Sequence, residues 1–172
     1  KTIEICGEVK DAVKDADIIC EAASVMPDHW PVLKKEWLKP GAVVISTNGL
    51  NLTWEDEMSF RKVVDNWQMY VDYANEDGDE YLDNGDRKHM GTVGEDLVFL
   101  QRDGKINRKD VTNLADVING KSEGRKNLDE IFLVSIEGMP IQDVAWGYEC
   151  YQKAKKEGIG TMLNLWDEPV AF

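Results

Sequence analysis

Hydrophobic positions along this chain alternate between two spacings. Residues 2–6, Thr-Ile-Glu-Ile-Cys, read as a short strand. Val9, Ala12, Val13 and Ala16 then recur at i, i+3, i+4 and i+7, one face of a helix. Residues 18–23 are apolar without alternation, as in a parallel strand buried on both faces. A short helix is expected over 31–38, stopped by Lys39-Pro40-Gly41, and a second buried strand over 42–46. Thr53, with Asp56 at the third position of a capping box, predicts a helix running to about Val64.

Trp67, Met69, Val71 and Tyr73 alternate with Gln68, Tyr70 and Asp72, which predicts a strand with one polar face. Residues 74–94 are rich in Asp, Glu, Asn and Gly and read as an acidic surface loop, within an insertion extending to about 105. A short strand is expected at 97–100. Asn107 and Asp110 resemble a second capping box, ahead of a helical face of Val111, Leu114, Ala115 and Ile118 that stops at Gly120. Residues 131–136 predict another strand. Residues 141–157 predict a helix with Val144, Tyr148 and Tyr151 on one side, and lysines in its last turn before Gly158. Strands and helices alternating in this way predict an α/β fold: a doubly wound, mostly parallel sheet.

Composition narrows the function. The net charge of −13 argues against binding nucleic acid or an anionic membrane surface. No apolar run is long enough to span a bilayer, and no secretory signal opens the chain. Cys6, Cys20 and Cys150 are an odd number at wide spacing without a CxxC, so a disulfide framework or zinc knuckle is not expected and a cytoplasmic location is. Lys1 leads straight into strand-like sequence without an initiator Met, so a preceding N-terminal portion is expected.

Ligands of doubly wound sheets bind beyond the carboxyl ends of the strands. Two such ends stand out here. Glu21-Ala22-Ala23-Ser24 is small enough for a flat cofactor to approach, and Ser46-Thr47-Asn48-Gly49 is small and polar. Glu21, at a buried strand end, is either a chemically active acid or a side chain turned to solvent. The GxGxxG phosphate fingerprint is absent, and Gly158-Ile159-Gly160 ends a helix where the fingerprint would have to open one. An EF-hand frame over Asp103-Gly104 would place Phe99 at a ligand position, and the acidic stretch 75–86 lacks calcium-loop spacing. His29 and His89 fall in loop-like sequence near no recognisable nucleophile, and no metal site is expected.

Taken together, several stretches resemble the ornithine cyclodeaminase/mu-crystallin family. Ala16-Asp17-Ile18-Ile19, Pro31-Val32-Leu33 and Trp37-Leu38-Lys39-Pro40-Gly41 are similar to its ADIV, PVL and WLKPG runs. Leu114 to Lys121 looks like its L-x-D/E-V-x-x-G-K, with Gly124-Arg125 following. Gly138-Met139-Pro140-Ile141-Gln142-Asp143-Val144 resembles G-x-A-I-Q-D-V, and Tyr151 to Thr161 matches the Y-x-x-A-x-x-x-G-I-G-T ending. The resemblance implies a Rossmann domain binding NAD or NADP over residues 1–140, lacking its N-terminal strands. Residues 141–172 would return to a substrate and dimerisation domain. It further implies a homodimer that moves hydride to or from an amino acid or its imine, by cyclodeaminase, ketimine reductase or amino-acid dehydrogenase chemistry.

Departures from the family lie at the reactive positions. The family's T-A-T is Glu21-Ala22-Ala23 here, and its G-A/G-D, which carries the catalytic acid, is Asn48-Gly49-Leu50-Asn51. Its F-D-S-x-G becomes Val134-Ser135-Ile136-Glu137-Gly138. By this resemblance Glu21, Ala22, Ala23, Ser24, Asn48, Gly49, Ile136 and Gly138 are expected around the nicotinamide. Asn51 is the candidate at the catalytic position, able to orient a substrate amine or water but not to act as a base near neutral pH. Loss of the acid leaves open a non-catalytic dinucleotide-binding protein on the same fold.

Overall fold

A computed structural model describes residues 2–23, 29–78 and 91–163 of the chain. The chain divides into two units, Lys1–Glu137 and Gly138–Phe172.

The first unit is built on a five-stranded sheet in the order β1-β2-β5-β3-β4. The strands are β1 (Ile18–Glu21), β2 (Val43–Ser46), β3 (Arg61–Val64), β4 (Val111–Asn113) and β5 (Phe132–Ser135), and every pairing is parallel. This is a Rossmann-type α/β sheet. Its helices are α1 (Val9–Val13), α2 (Trp54–Ser59), α3 (Trp67–Asp77), α4 (Val93–Arg102) and α5 (Leu114–Ile118). Because the strands run the same way, their carboxyl ends form one edge of the sheet.

Register assigns the side chains to faces. One face presents Ile19 and Glu21, Val44 and Ser46, Leu133 and Ser135, Lys62 and Val64, and Val111 and Asn113. Its core joins Val44 and Leu133 to Val13, Leu33, Leu50, Phe60 and Val93, and joins Val64 and Val111 to α3 and α4. The opposite face carries a smaller cluster of Val63, Phe132 and Val134. There Ile18 is 64% exposed and Cys20 is exposed, so β1 is covered on one side only and not on both as its apolar run suggests.

Several sequence expectations are corrected. Residues 2–6 form no strand; Ile3 and Ile5 are 96% and 94% exposed, with no described strand beside them. The helix expected over 31–38 is reduced to a 3-10 turn at Lys35–Trp37, with Val32 bridged to Asn51. α2 begins as predicted, Thr53 Oγ1 accepting from Asp56 N at 3.1 Å, but stops at Ser59. The Asp56 carboxylate accepts from Lys35 N at 3.1 Å. Val63 and Val64, β-branched, belong to β3, where they pack in the sheet.

Residues 67–73 are helical, not extended. Asn66 caps α3 by accepting from Gln68 N at 3.0 Å, and the buried residues are Trp67, Tyr70 and Ala74, at i, i+3 and i+7. The acidic-loop assignment fails at both ends. Residues 74–77 finish α3, and 93–102, including the strand expected at 97–100, form α4; residues 79–90 lie outside the described residues. The Asn107–Asp110 box caps only the 3-10 turn Arg108–Asp110; Val111 then enters β4, and Ile118 is 75% exposed.

Lys62, on β3, is buried, and its Nζ donates to the carbonyls of Met58 and Phe60 at 2.7 and 2.8 Å. Burial lowers its pKa, and burial, followed by the Asp96 charge, raises that of buried Glu57 well above the carboxylate range. In the second unit, α6 (Pro140–Glu157) starts on Pro140 and ends on Gly158 at φ +67°. Its Val144, Tyr148 and Tyr151 are exposed.

Candidate functional site

The carboxyl edge collects polar side chains from the last strand positions of the buried face. Glu21 is buried and bonded, not turned to solvent. Its Oε1 accepts from Ala23 N at 2.7 Å, and its Oε2 accepts from Ser46 Oγ at 2.9 Å. Asn48 Nδ2 donates to Ala23 O at 2.9 Å, and Thr47 Oγ1 donates to Glu21 O at 3.2 Å. The turns after β1 and β2 are therefore laced together. Gly49 is required there, since a Cβ would lie 2.2 Å from the Trp30 ring.

The same logic continues across the sheet. Ile136 N donates to Ser46 O at 2.9 Å, carrying the ladder one residue beyond β5. Ser135 Oγ accepts from Gly94 N at 3.0 Å, fixing the amino end of α4 on the edge. Thr92 and Glu95 form a capping box at that end, Glu95 Oε2 accepting from Thr92 N at 2.8 Å. Asn113 Oδ1 accepts from Trp67 N at 3.0 Å and so anchors the start of α3.

One group of side chains is less satisfied. Asp65 follows β3 and is buried; its Oδ1 accepts from Asn66 N at 2.9 Å, while Oδ2 has no hydrogen-bond partner. The fully buried Tyr70 hydroxyl lies against Ser135 and Asp65 without a hydrogen bond of regular geometry. Burial, the largest cause, and the neighbouring Asp65 charge push that hydroxyl above the usual phenol range. Glu137, half-buried two residues after β5, is pushed up to about 7, by burial first and by Asp65 second. A carboxyl group with that value exchanges its proton near neutral pH.

The structure thus brings Glu21, Ala22, Ala23, Asn48, Gly49 and Ile136 to one edge. Ser24 and His89 lie outside the described residues, and Gly138, at φ +85°, opens the second unit. Asn51 stands past the edge. Its side chain is exposed and its backbone is bonded to Pro31 and Leu33, while neighbouring Leu50 is 2% exposed in the core. Asp65, Tyr70, Ser135 and the amino end of α4 are additions that the sequence reading missed. The spacing of Thr92 and Glu95 was the available signal for α4. Asp65 was hidden by reading Val63-Val64 as the end of a helix.

Among the described residues no three His, Cys, Asp or Glu side chains are grouped to hold a metal ion. No described helix is long and apolar enough to cross a membrane. An open cavity of about 770 Å³ lined by Lys34, Pro40, Thr53 and Ile131 lies at the opposite, amino edge, away from the end where parallel sheets place ligands.

Comparison with known proteins places this edge in a lineage. The sequence model of the ornithine cyclodeaminase/mu-crystallin family matches residues 1–158. The chain belongs to that family. It is 27% identical over 159 residues to the N-((2S)-2-amino-2-carboxyethyl)-L-glutamate dehydrogenase of Staphylococcus aureus, a match covering 91% of this chain and 40% of that protein. It superposes on Thermococcus litoralis Δ1-pyrroline-2-carboxylate reductase, solved with NADH and L-proline, with a TM-score of 0.65 at 22% identity, covering 91% of this chain and 43% of the reductase. An archaeal alanine dehydrogenase dimer with bound NAD gives a TM-score of 0.61 at 22% identity, with the same coverage of 91% and 43%. The chain therefore spans about two fifths of the length of these family members.

Proposed function

We propose that this family member contributes the nicotinamide side of an NAD(P)-dependent oxidoreductase that acts on an amino acid or its imine. The observation that carries the reading is the edge itself: Glu21, Ser46, Asn48 and Ala23 joined by hydrogen bonds at the carboxyl ends of adjacent parallel strands. The family relatives named above, dehydrogenases and a reductase of amino-acid substrates, support it.

The residues present fit one end of a dinucleotide. Ala22, Ala23 and Gly49 leave the backbone of the two turns without bulky side chains, and Asn48 sets its amide beside them, while buried Ser46 supports the turn from within. The sequence holds no GxGxxG to cradle the phosphates. A bound nicotinamide supplies the hydride chemistry; the protein positions it and handles the protons. Ala22, Ala23, Ser24, Asn48, Gly49, Ile136 and Gly138 would line that group, Glu21 would hold the first turn, and Asn51 would orient a substrate amine or water. The assembly would be a homodimer.

Fluorescence titration of the full chain with NADH and NADPH, followed by amino acids and cyclic imines, tests the reading. Binding with substrate-dependent change in NAD(P)H absorbance is expected. The Leu50–Asn51 sequence, which offers no acid, favours a second reading: binding without turnover. Restoring the acid in Asn51→Asp would then create activity that the wild type lacks.

A further inference from the structure

We propose that Glu137, set beside Asp65 at the carboxyl edge between β3 and β5, donates the proton that accompanies imine reduction at this site. The inference rests on the function proposed above and names a residue for one of its steps.

β3 and β5 are neighbours, with Val64 opposite Ser135, so the residues just past the two strands emerge together. Asp65 N donates to Ser135 O at 3.2 Å, which holds the two chain segments in step. Asp65 Oδ2 is buried without a partner. From α3, the buried Tyr70 hydroxyl points at Asp65 and Ser135 and feels the charges of both Asp65 and Glu137. From α4, the Gly94 amide occupies Ser135 Oγ. Asp65 just past β3, Ser135 at the end of β5 and Tyr70 of α3 therefore meet where the sheet presents its ligand edge, with Glu137 two residues beyond Ser135 and within reach of the Asp65 charge.

Two carboxyl groups so placed do not ionise independently; the charge on one favours the proton on the other. Burial and the Asp65 charge keep the proton on Glu137 up to about pH 7. The acid position of the family, in contrast, falls on Leu50 and Asn51, which hold no such proton.

The step balances simply. Reduction breaks the π bond of C=N, the carbon taking a hydride from a reduced nicotinamide and the nitrogen taking a proton. Glu137 gives that proton, is left as a carboxylate, and regains a proton from water. In the oxidative direction the Glu137 carboxylate removes a proton from the substrate ammonium.

The test compares wild type, Glu137→Gln and Asp65→Asn in the full chain. First, carboxyl carbons are titrated by NMR, Glu137→Gln assigning the signal. The Glu137 midpoint should stand near 7 in wild type and move downward in Asp65→Asn. Second, Glu137→Gln should lose about 100-fold or more in kcat for imine reduction. Its NADH dissociation constant should stay within about twofold, because only a proton donor has been removed. It should also lose the fall in rate above neutral pH. A Glu137 midpoint in the ordinary glutamate range, or a Glu137→Gln variant as active as wild type, overturns this inference alone. A wild type that neither binds nor oxidises NAD(P)H overturns the proposed function and this inference together.

Discussion

Ser135 Oγ, at the last position of the central strand, accepts the backbone amide of Gly94 from 41 residues earlier in the chain. The Tyr70 ring lies against the Gly94 Cα, where a Cβ would come within 2.2 Å of it. A serine, a glycine and a tyrosine from three separate elements thereby fix the amino end of α4 on the sheet edge.

Removing that acceptor in Ser135→Ala leaves a buried N–H unpaired, and a loss of about 1–3 kcal/mol is expected in denaturant unfolding. Gly94→Ala drives a methyl group into Tyr70, an overpacking expected to cost about 1–3 kcal/mol. The two changes strain one contact, so their sum should exceed the double variant's loss. Strict additivity would show that the helix end is not coupled to Ser135 in this way.

Glu21 holds the first of the two site turns. Glu21→Ala leaves Ala23 N without its acceptor, while Ser46 Oγ keeps only the Asn48 carbonyl, and the change should destabilise by about 1–3 kcal/mol. Glu21→Gln keeps an acceptor oxygen and should recover part of that loss. NADH affinity, followed by fluorescence, should weaken in Glu21→Ala more than in Glu21→Gln; equal affinities in both variants and the wild type would remove Glu21 from the site.

The raised Glu137 pKa also fixes a direction for stability. The folded chain keeps this proton to about pH 7, against an ordinary value of 4.5, so between those limits the unfolded state binds less proton. The contribution of Glu137 to stability accordingly falls as pH rises across that window. Glu137→Gln removes the effect, so its melting temperature should exceed that of wild type at pH 8 and match it near pH 4. The same difference at both values would mean that Glu137 titrates normally.

Asn48→Ala deletes the donor to Ala23 O, which is part-buried at the edge. A stability loss of about 1 kcal/mol, the size of one ordinary hydrogen bond, is expected. NADH affinity should fall along with it, since the turns after β1 and β2 lose the bond at Ala23 while those from Ser46 and Thr47 to Glu21 remain. Unchanged affinity in a stably folded variant would contradict the role given to this bond.

How much of this could be read from the chain depended on which forces act locally. β1, β2 and β5 announced themselves as short apolar runs, and the polar turns after the first two were located by the rule that parallel sheets bind ligands at their carboxyl ends. α3 was misread because Trp67 to Tyr73 fits a period of two as well as one of 3.6. Packing decided between them, burying Trp67, Tyr70 and Ala74 on one helical side. α4 was hidden because Gly94, Glu95 and Asp96 read as the end of the acidic loop, although the fold buries them with Val93 and Leu97 to Leu100, which left the capping box as the clue. The Asp65–Tyr70–Glu137 group was not legible at all, since it joins a residue of α3 to residues just past β3 and β5, two strands that only the sheet order makes neighbours.

The proposed function requires this edge to receive a nicotinamide cofactor and to support redox chemistry on an amino acid or imine. The most direct measurement is titration of the full chain with NADH and NADPH, with absorbance followed as a panel of cyclic imines and amino acids is added. Saturable binding is expected, then oxidation of the bound cofactor by at least one imine. No binding of either cofactor would contradict the proposed function, leaving a family fold that serves some other purpose.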